Sequence, residues 1–204
     1  MRCQLACAAA DERLAAEWPL DRDALSMAPM PDLLIRLKRA SDGSAALACV
    51  RADGSTTWQR QTGGLGVALP AHDLTHYAVE TALGYNHAFY GLIADGWEIT
   101  DFAPPYPRGP VPREAREAEL VVGAFDMERL MGNDWTPDEL REQGARYAAT
   151  GRAARERLTL PALTDADIRH VRSARAGVFA RWAAVGSGQT LELAFTRRVP
   201  EQAG

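Results

Sequence analysis

LLIRLKRASDGSAALACVRADGSTTWQRQ, Leu33 to Gln61, is the stretch that decides the fold. In its first seven residues Ile35 and Leu37 fall on one face and Arg36 and Lys38 on the other, the two-residue period of a half-buried strand. Asp42-Gly43 follows, a strong tight-turn signal. AALACVR alternates again, with Leu47 and Cys49 facing the same way. A second Asp-Gly pair, Asp53-Gly54, leads into STTWQRQ. Three alternating runs joined by two tight turns predict an antiparallel β-meander. TGGLG breaks the pattern, and VAL (67–69) is read as a short fourth strand.

Beyond the meander the period changes. Pro70 suits a first helical turn, where a missing N–H costs nothing, and a helix is expected from about Pro70 to Leu83. Gly84-Tyr85-Asn86 reads as an interruption, and a second helical piece from Asn86 to Ala94 ends at Asp95-Gly96. FAPPYPRGPVP (102–112) carries five prolines and must be an extended connection. From Pro112 a helix should reach Met131. Thr136 with Glu139 forms a capping box whose helix is expected to run to Leu158. Its seam of Leu140, Gly144, Tyr147, Gly151, Ala154 and Leu158 would let another helix, or a second copy of the chain, approach closely. Thr164 with Asp167 is a second capping box, before an apolar stripe from Ile168 to Val185. TLELAF alternates once more and is expected to return to the meander. The expected class is therefore α+β: a small antiparallel β-meander packed against a layer of helices, one domain over residues 30–204, with residues 1–29 as an N-terminal extension.

Chemistry concentrates in LPAHDLTHYAVETALGYNHAFYG, Leu69 to Gly91, which holds three of the four histidines. His72 and His76 are four apart, so on a helix their Cβ atoms lie roughly 5–6 Å apart on one face. Two imidazoles at that spacing can bind one metal ion, the arrangement of HExxH zinc enzymes. Here the string is HDLTH, and the carboxylate of Asp73 is one methylene shorter. Glu80 shares the face, but His72 to Glu80 spans about 12 Å of helix rise, so all three cannot easily reach one ion. Glu80 could ligate in place of His72, or hold His76 by a hydrogen bond. His87 is the expected third ligand if the chain doubles back at Gly84-Tyr85-Asn86, since on a straight helix it would lie about 16 Å beyond His76. A further carboxylate could come from the next helix, where Glu114, Glu117 and Glu119 cluster. The candidate ligands are thus His72, His76 and His87, with Asp73 and Glu80 as candidate catalytic carboxylates, for Zn²⁺ or another divalent metal. Alternatively the histidines only pack, and the protein is a non-catalytic binding or assembly module.

HDLTH resembles the HDxxH string of the zinc-binding ubiquinone-biosynthesis scaffold family. That family places a glutamate twelve residues after the second histidine, where this chain has Ala88 beside His87. Its fold is all-helical, whereas a meander precedes the motif here. The longer string LPAHDLTHYAVETALG…HAFYGLIADGW is similar to small bacterial proteins with an LPxHDLxHYxVE segment. That resemblance spans about residues 30 to 190 and implies no activity.

The totals exclude several classes. The net charge is −4, yet from Arg141 onward eleven arginines face six acids. The acidic remainder argues against charge-driven nucleic-acid binding. No apolar run approaches the ~20 residues of a membrane span, and the short N-terminal apolar patch is too soon charged for a secretory signal, so a cytoplasmic protein is expected. Three cysteines give no disulfide framework. Gly63, Gly64 and Gly66 read as a turn, and GSG around Ser187 is no nucleophile elbow. Arg175 points into the apolar stripe of the last helix, so it needs a neighbouring carboxylate or an anionic ligand.

Overall fold

A computed structural model of the chain describes residues 31–61, 66, 68–132 and 134–198. The expected extension 1–29 and the glycines at 63 and 64 lie outside the described residues. Strands β1 (Leu33–Arg39), β2 (Ala45–Arg51) and β3 (Thr56–Gln61) form the meander. In both turns the aspartate carboxylate accepts the N–H of the serine two residues on, 2.9 Å for Asp42 and Ser44 and 2.8 Å for Asp53 and Ser55, and the glycines take left-handed φ values of 82° and 85°. The fourth strand, β4 (Thr190–Phe195), pairs antiparallel with β1, so the sheet order is β3-β2-β1-β4. Of the expected strand VAL, Val67 lies outside the described residues, Ala68 is in a turn and Leu69 already opens a helix, as Pro70 fixes the backbone for a first helical turn.

Six α-helices are present among the described residues: α1 (Leu69–Leu83), α2 (Phe89–Ala94), α3 (Arg113–Met131), α4 (Pro137–Ala148), α5 (Gly151–Arg155) and α6 (Asp165–Ala183). Both capping boxes form. Thr136 N–H donates to Glu139 Oε2 at 2.7 Å and Thr164 N–H to Asp167 Oδ2 at 2.8 Å. The helix opened by Thr136 stops short of Leu158: Thr150 is extended and Gly151 left-handed at φ 55°, and a short separate helix follows.

One face of the sheet, with Leu33, Ile35, Leu37, Leu47, Cys49, Leu191, Leu193 and Phe195, packs on Leu74 and Ala78 of α1, Tyr90 and Ile93 of α2 and Val178 of α6. A second buried cluster joins Val79 and Ala82 of α1 to Val121, Val122 and Phe125 of α3, Leu140 of α4 and Ile168 and Val171 of α6. Helix α1 belongs to both clusters. It lies between the sheet and the outer helices and is buried on most of its surface, including Asp73, Thr75, His76 and Glu80. Polar groups so placed must be paired.

The α4 seam is used inside the chain. A Cβ at Gly144 would stand 2.8 Å from Leu160 Cδ2 and 3.4 Å from Ala124 Cβ of α3. Arg175 finds its carboxylate: it donates to Glu128 Oε2 at 2.8 Å and to the Phe125 carbonyl at 2.6 Å, and Arg172 donates to the other Glu128 oxygen.

The bend between α1 and α2 depends on two glycines. Gly84 takes φ 71°, and the Tyr85 N–H closes on the Glu80 carbonyl at 3.0 Å. Gly91 lets the Asn86 carbonyl oxygen come within 2.0 Å of the place a Cβ would occupy. Because the obstacle there is backbone, Gly91→Ala should destabilise the protein at the upper end of the about 1–3 kcal/mol typical of overpacking. A urea-denaturation midpoint measures this, and an unchanged midpoint would show that the bend is not held as described.

Candidate metal site

The histidines are placed by α1 and oriented by carboxylates. His72 Nδ1 lies 2.8 Å from Asp126 Oδ2 of α3. His76 Nδ1 lies 3.2 Å from Glu80 Oε1, one turn along its own helix. A bound ion would take the lone pair of each Nε2; without one, protonated His76 donates its Nε2–H to a third partner that His72 Nε2 also approaches. That partner is Glu119 of α3, with Oε2 at 3.0 Å from His76 Nε2 and Oε1 at 3.8 Å from His72 Nε2. The two rings meet edge to face with centroids 4.7 Å apart. His72, His76 and Glu119 each offer one ligand atom, all within 4.8 Å of one another, so they could hold a metal ion.

The carboxylates are themselves fixed. Asp126 Oδ1 accepts from Thr75 Oγ1 at 2.9 Å and from Arg129 Nε at 3.3 Å. Glu80 is fully enclosed, and its Oε2 accepts the Tyr90 N–H at 2.9 Å. The bend after α1 therefore does serve the site, by delivering a backbone donor to Glu80 and the Phe89 ring to within 5.2 Å of the His76 ring. It does not deliver His87. That side chain is exposed, with Nδ1 3.5 Å from Asp95, and its N–H bonds Glu114 at 3.2 Å. The turn between Gly84 and Phe89 carries it outward, so it stands apart from the group that could hold a metal.

Of the three acids clustered on α3, Glu117 pairs with Arg113 at 2.8 Å and Glu114 meets the His87 backbone; only Glu119 reaches the histidines. Asp126 and Thr75 were missed by sequence reasoning. Seven residues separate Glu119 from Asp126, two turns of one face, and Asp126 interrupts an otherwise apolar run. That was the available signal.

The electrostatics follow from the crowding of acids. Burial alone would push the His76 pKa down, but hydrogen bonds with Glu119 and Glu80 and the charges of both carboxylates outweigh it and raise it from 6.5 to about 10. Burial pushes Glu119 and Asp126 up, and the hydrogen bonds and charges of His76 and His72 more than reverse this, leaving both lowered. Burial raises Glu80, against the opposing pull of His76. Asp73 is raised too, chiefly by burial; its carboxylate accepts from Gln61 Nε2.

His72, Asp73, His76 and Glu119 line a cavity of about 900 Å³. Leu47 and Gln59 of the sheet, Phe89, Ile99 and Phe102, and residues of α5 complete its lining. Glu80 is not among the lining residues. Three donors beside a cavity leave coordination positions open, as reactive metal sites do and closed structural ones do not.

The fold and the site thus define an α+β protein whose two-histidine, one-carboxylate group could hold a metal ion. No family model matches the chain, and no curated protein or solved structure does either. No helix among the described residues is long and apolar enough to cross a membrane.

Proposed function

We propose that this chain is a divalent-metal protein, with His72, His76 and Glu119 as the protein ligands, Zn²⁺ or another divalent first-row ion as the metal, and metal-assisted hydrolysis as the reaction class. The observation that carries the reading is the pairing of both Nδ1 atoms with carboxylates while both Nε2 atoms approach one further carboxylate. Histidines that merely fill space have no need of that arrangement, whereas metal-ligating histidines regularly have it, because the second hydrogen bond fixes the tautomer and makes the free nitrogen more basic. Two imidazoles and a glutamate are a donor set of catalytic zinc sites and of non-haem iron sites. A bound divalent ion would supply Lewis acidity toward a carbonyl or phosphoryl oxygen.

Around it the chain's own groups take distinct parts. Asp73 lines the cavity one turn from His76 with its pKa raised by burial, the direction that makes a carboxylate a better proton acceptor. Glu80 and Asp126 act through the histidines and are positioning residues. The assembly alternative loses one of its supports, since Gly144 accommodates Leu160 and Ala124 of the same chain.

The test is elemental analysis after dialysis of purified protein against Zn²⁺, beside a His72→Ala/His76→Ala variant. About one ion per chain in the first and none in the second is expected for three converging donors. Equal, negligible metal in both overturns the reading.

A further inference from the structure

Part of the cavity wall is rich in arginine. Arg116 of α3, one helical turn before Glu119, lines it together with Arg152 and Arg155 of α5. Beside them Glu156 also lines the cavity; Arg116 Nη1 meets it at 2.6 Å and Arg152 Nε at 2.5 Å. Glu156 is thus shared by two of the three guanidinium groups, and Arg155 is outside that pairing. Arg152 is also steered by Tyr106, whose hydroxyl accepts from its Nη1 at 2.8 Å. Tyr106 itself sits at φ 55°, a conformation uncommon for a residue other than glycine. Two donors remain unused: Arg116 Nε is buried without an acceptor, and Arg155 makes no ion pair among the described residues. Phe89, Ile99, Phe102 and Leu120 supply an apolar part of the wall.

We propose that the cavity takes an amphiphilic organic anion, with a carboxylate or phosphate group at Arg155 and its two arginine neighbours and an apolar body along Phe89, Ile99 and Phe102. The opposite end of that molecule then faces His72, His76 and Glu119. The choice of reacting end rests on the metal reading above; the anion preference does not. Guanidinium groups suit this task because their planar N–H forks match carboxylate and phosphate oxygens, and burial of the apolar body excludes water that would weaken the pairing. A cavity of this volume is at the upper end of the size of small-molecule sites.

Three fluorescent probes of like shape test it: naphthylacetate, naphthyl phosphate and the neutral naphthylmethanol, titrated first into the metal-free full chain in EDTA and then into the Zn²⁺-loaded chain. In the metal-free chain each anion should bind about tenfold or more tightly than the alcohol, the effect of one charge-assisted contact, and the tighter of the two identifies the headgroup. Arg155→Gln should reduce the preference several-fold, the remainder resting on Arg116 and Arg152, while leaving the thermal midpoint and zinc stoichiometry unchanged, since Arg155 is exposed. Equal affinities for anions and alcohol, or a preference undiminished by Arg155→Gln, overturns the proposal. So does a preference that appears only with zinc and ignores Arg155, because that would put the anion on the metal. If zinc fails to bind but the metal-free preference holds, the metal reading falls alone.

Discussion

Glu128→Ala should cost about 3–5 kcal/mol of folding stability, the range for removing one partner of a buried ion pair. Glu128 is 3% exposed and bridges Arg172 and Arg175 of α6, with Arg175 also bonded to the Phe125 carbonyl. Removing the carboxylate leaves two guanidinium groups facing each other in a partly dry seam between α3 and α6, and strands the donors that Glu128 satisfied. At about 1.4 kcal/mol per power of ten, the folding equilibrium should shift by roughly two to more than three orders of magnitude. Glu142→Ala is the control. Its pair with Arg146 is exposed on both sides, and such pairs contribute about 0–1 kcal/mol. Urea denaturation of both variants decides the matter; equal midpoints would mean that the Glu128 bridge adds no stability.

Asp126→Asn and Glu80→Gln should each weaken divalent-metal binding about 10–100-fold, the usual effect of removing a ligand's hydrogen-bond partner. Neither residue donates an atom to the proposed site, so a large effect would identify orientation of the imidazoles as the cause. Asp73→Asn, whose carboxylate meets Gln61 rather than a histidine, should leave affinity within a few-fold of the parent. Chelator competition supplies the affinities.

The same geometry fixes the sign of the pH dependence. In metal-free protein His76 is protonated between Glu80 and Glu119, with its pKa raised to about 10. An ion must displace that proton, so affinity should rise with pH by about tenfold per unit through the neutral range, with about one proton released per ion bound near pH 7.5. Calorimetry in two buffers of different ionisation enthalpy counts it, and no release would contradict the assignment of His76 as a ligand. For the metal-free fold the trend is opposite. A raised histidine pKa adds stability that is fully present below pH 6.5 and disappears as pH climbs through about 10.

Local features of the sequence carried most of the fold. Alternation and Asp-Gly pairs specify β1 to β3, Thr-x-x-acid boxes start α4 and α6, and Gly84 marks the end of α1, because each acts within a few residues of itself. Thr190 to Phe195 was legible as a strand for the same reason. The site was legible only on the α1 side. Spacing put His72 and His76 together, but the choice of Glu119 over Glu114 or Glu117 depends on how α3 is rotated against α1, which is a matter of tertiary packing. His87 drew attention because of its ring type. Its position between Asn86 and Ala88, in the turn that leaves α1, determines that the ring faces solvent, and nothing local encodes that direction.

The late position of β4 has a consequence for how the molecule is made. Strand β1 lies inside the finished sheet, yet one of its two flanks is closed only by residues 190–195. Throughout synthesis that flank is a bare ladder of unpaired amides beside Ile35 and Leu37, open to pairing with another nascent chain. The residues just after β4 then latch the bend: Arg198 Nη2 donates to the Thr81 and Ala82 carbonyls at 3.2 and 3.0 Å, and its backbone exchanges two hydrogen bonds with the Asn86 amide. A chain interrupted before residue 190 would therefore keep every proposed ligand and still lack both the closing strand and the clasp, leaving it a substrate for aggregation rather than a smaller working protein.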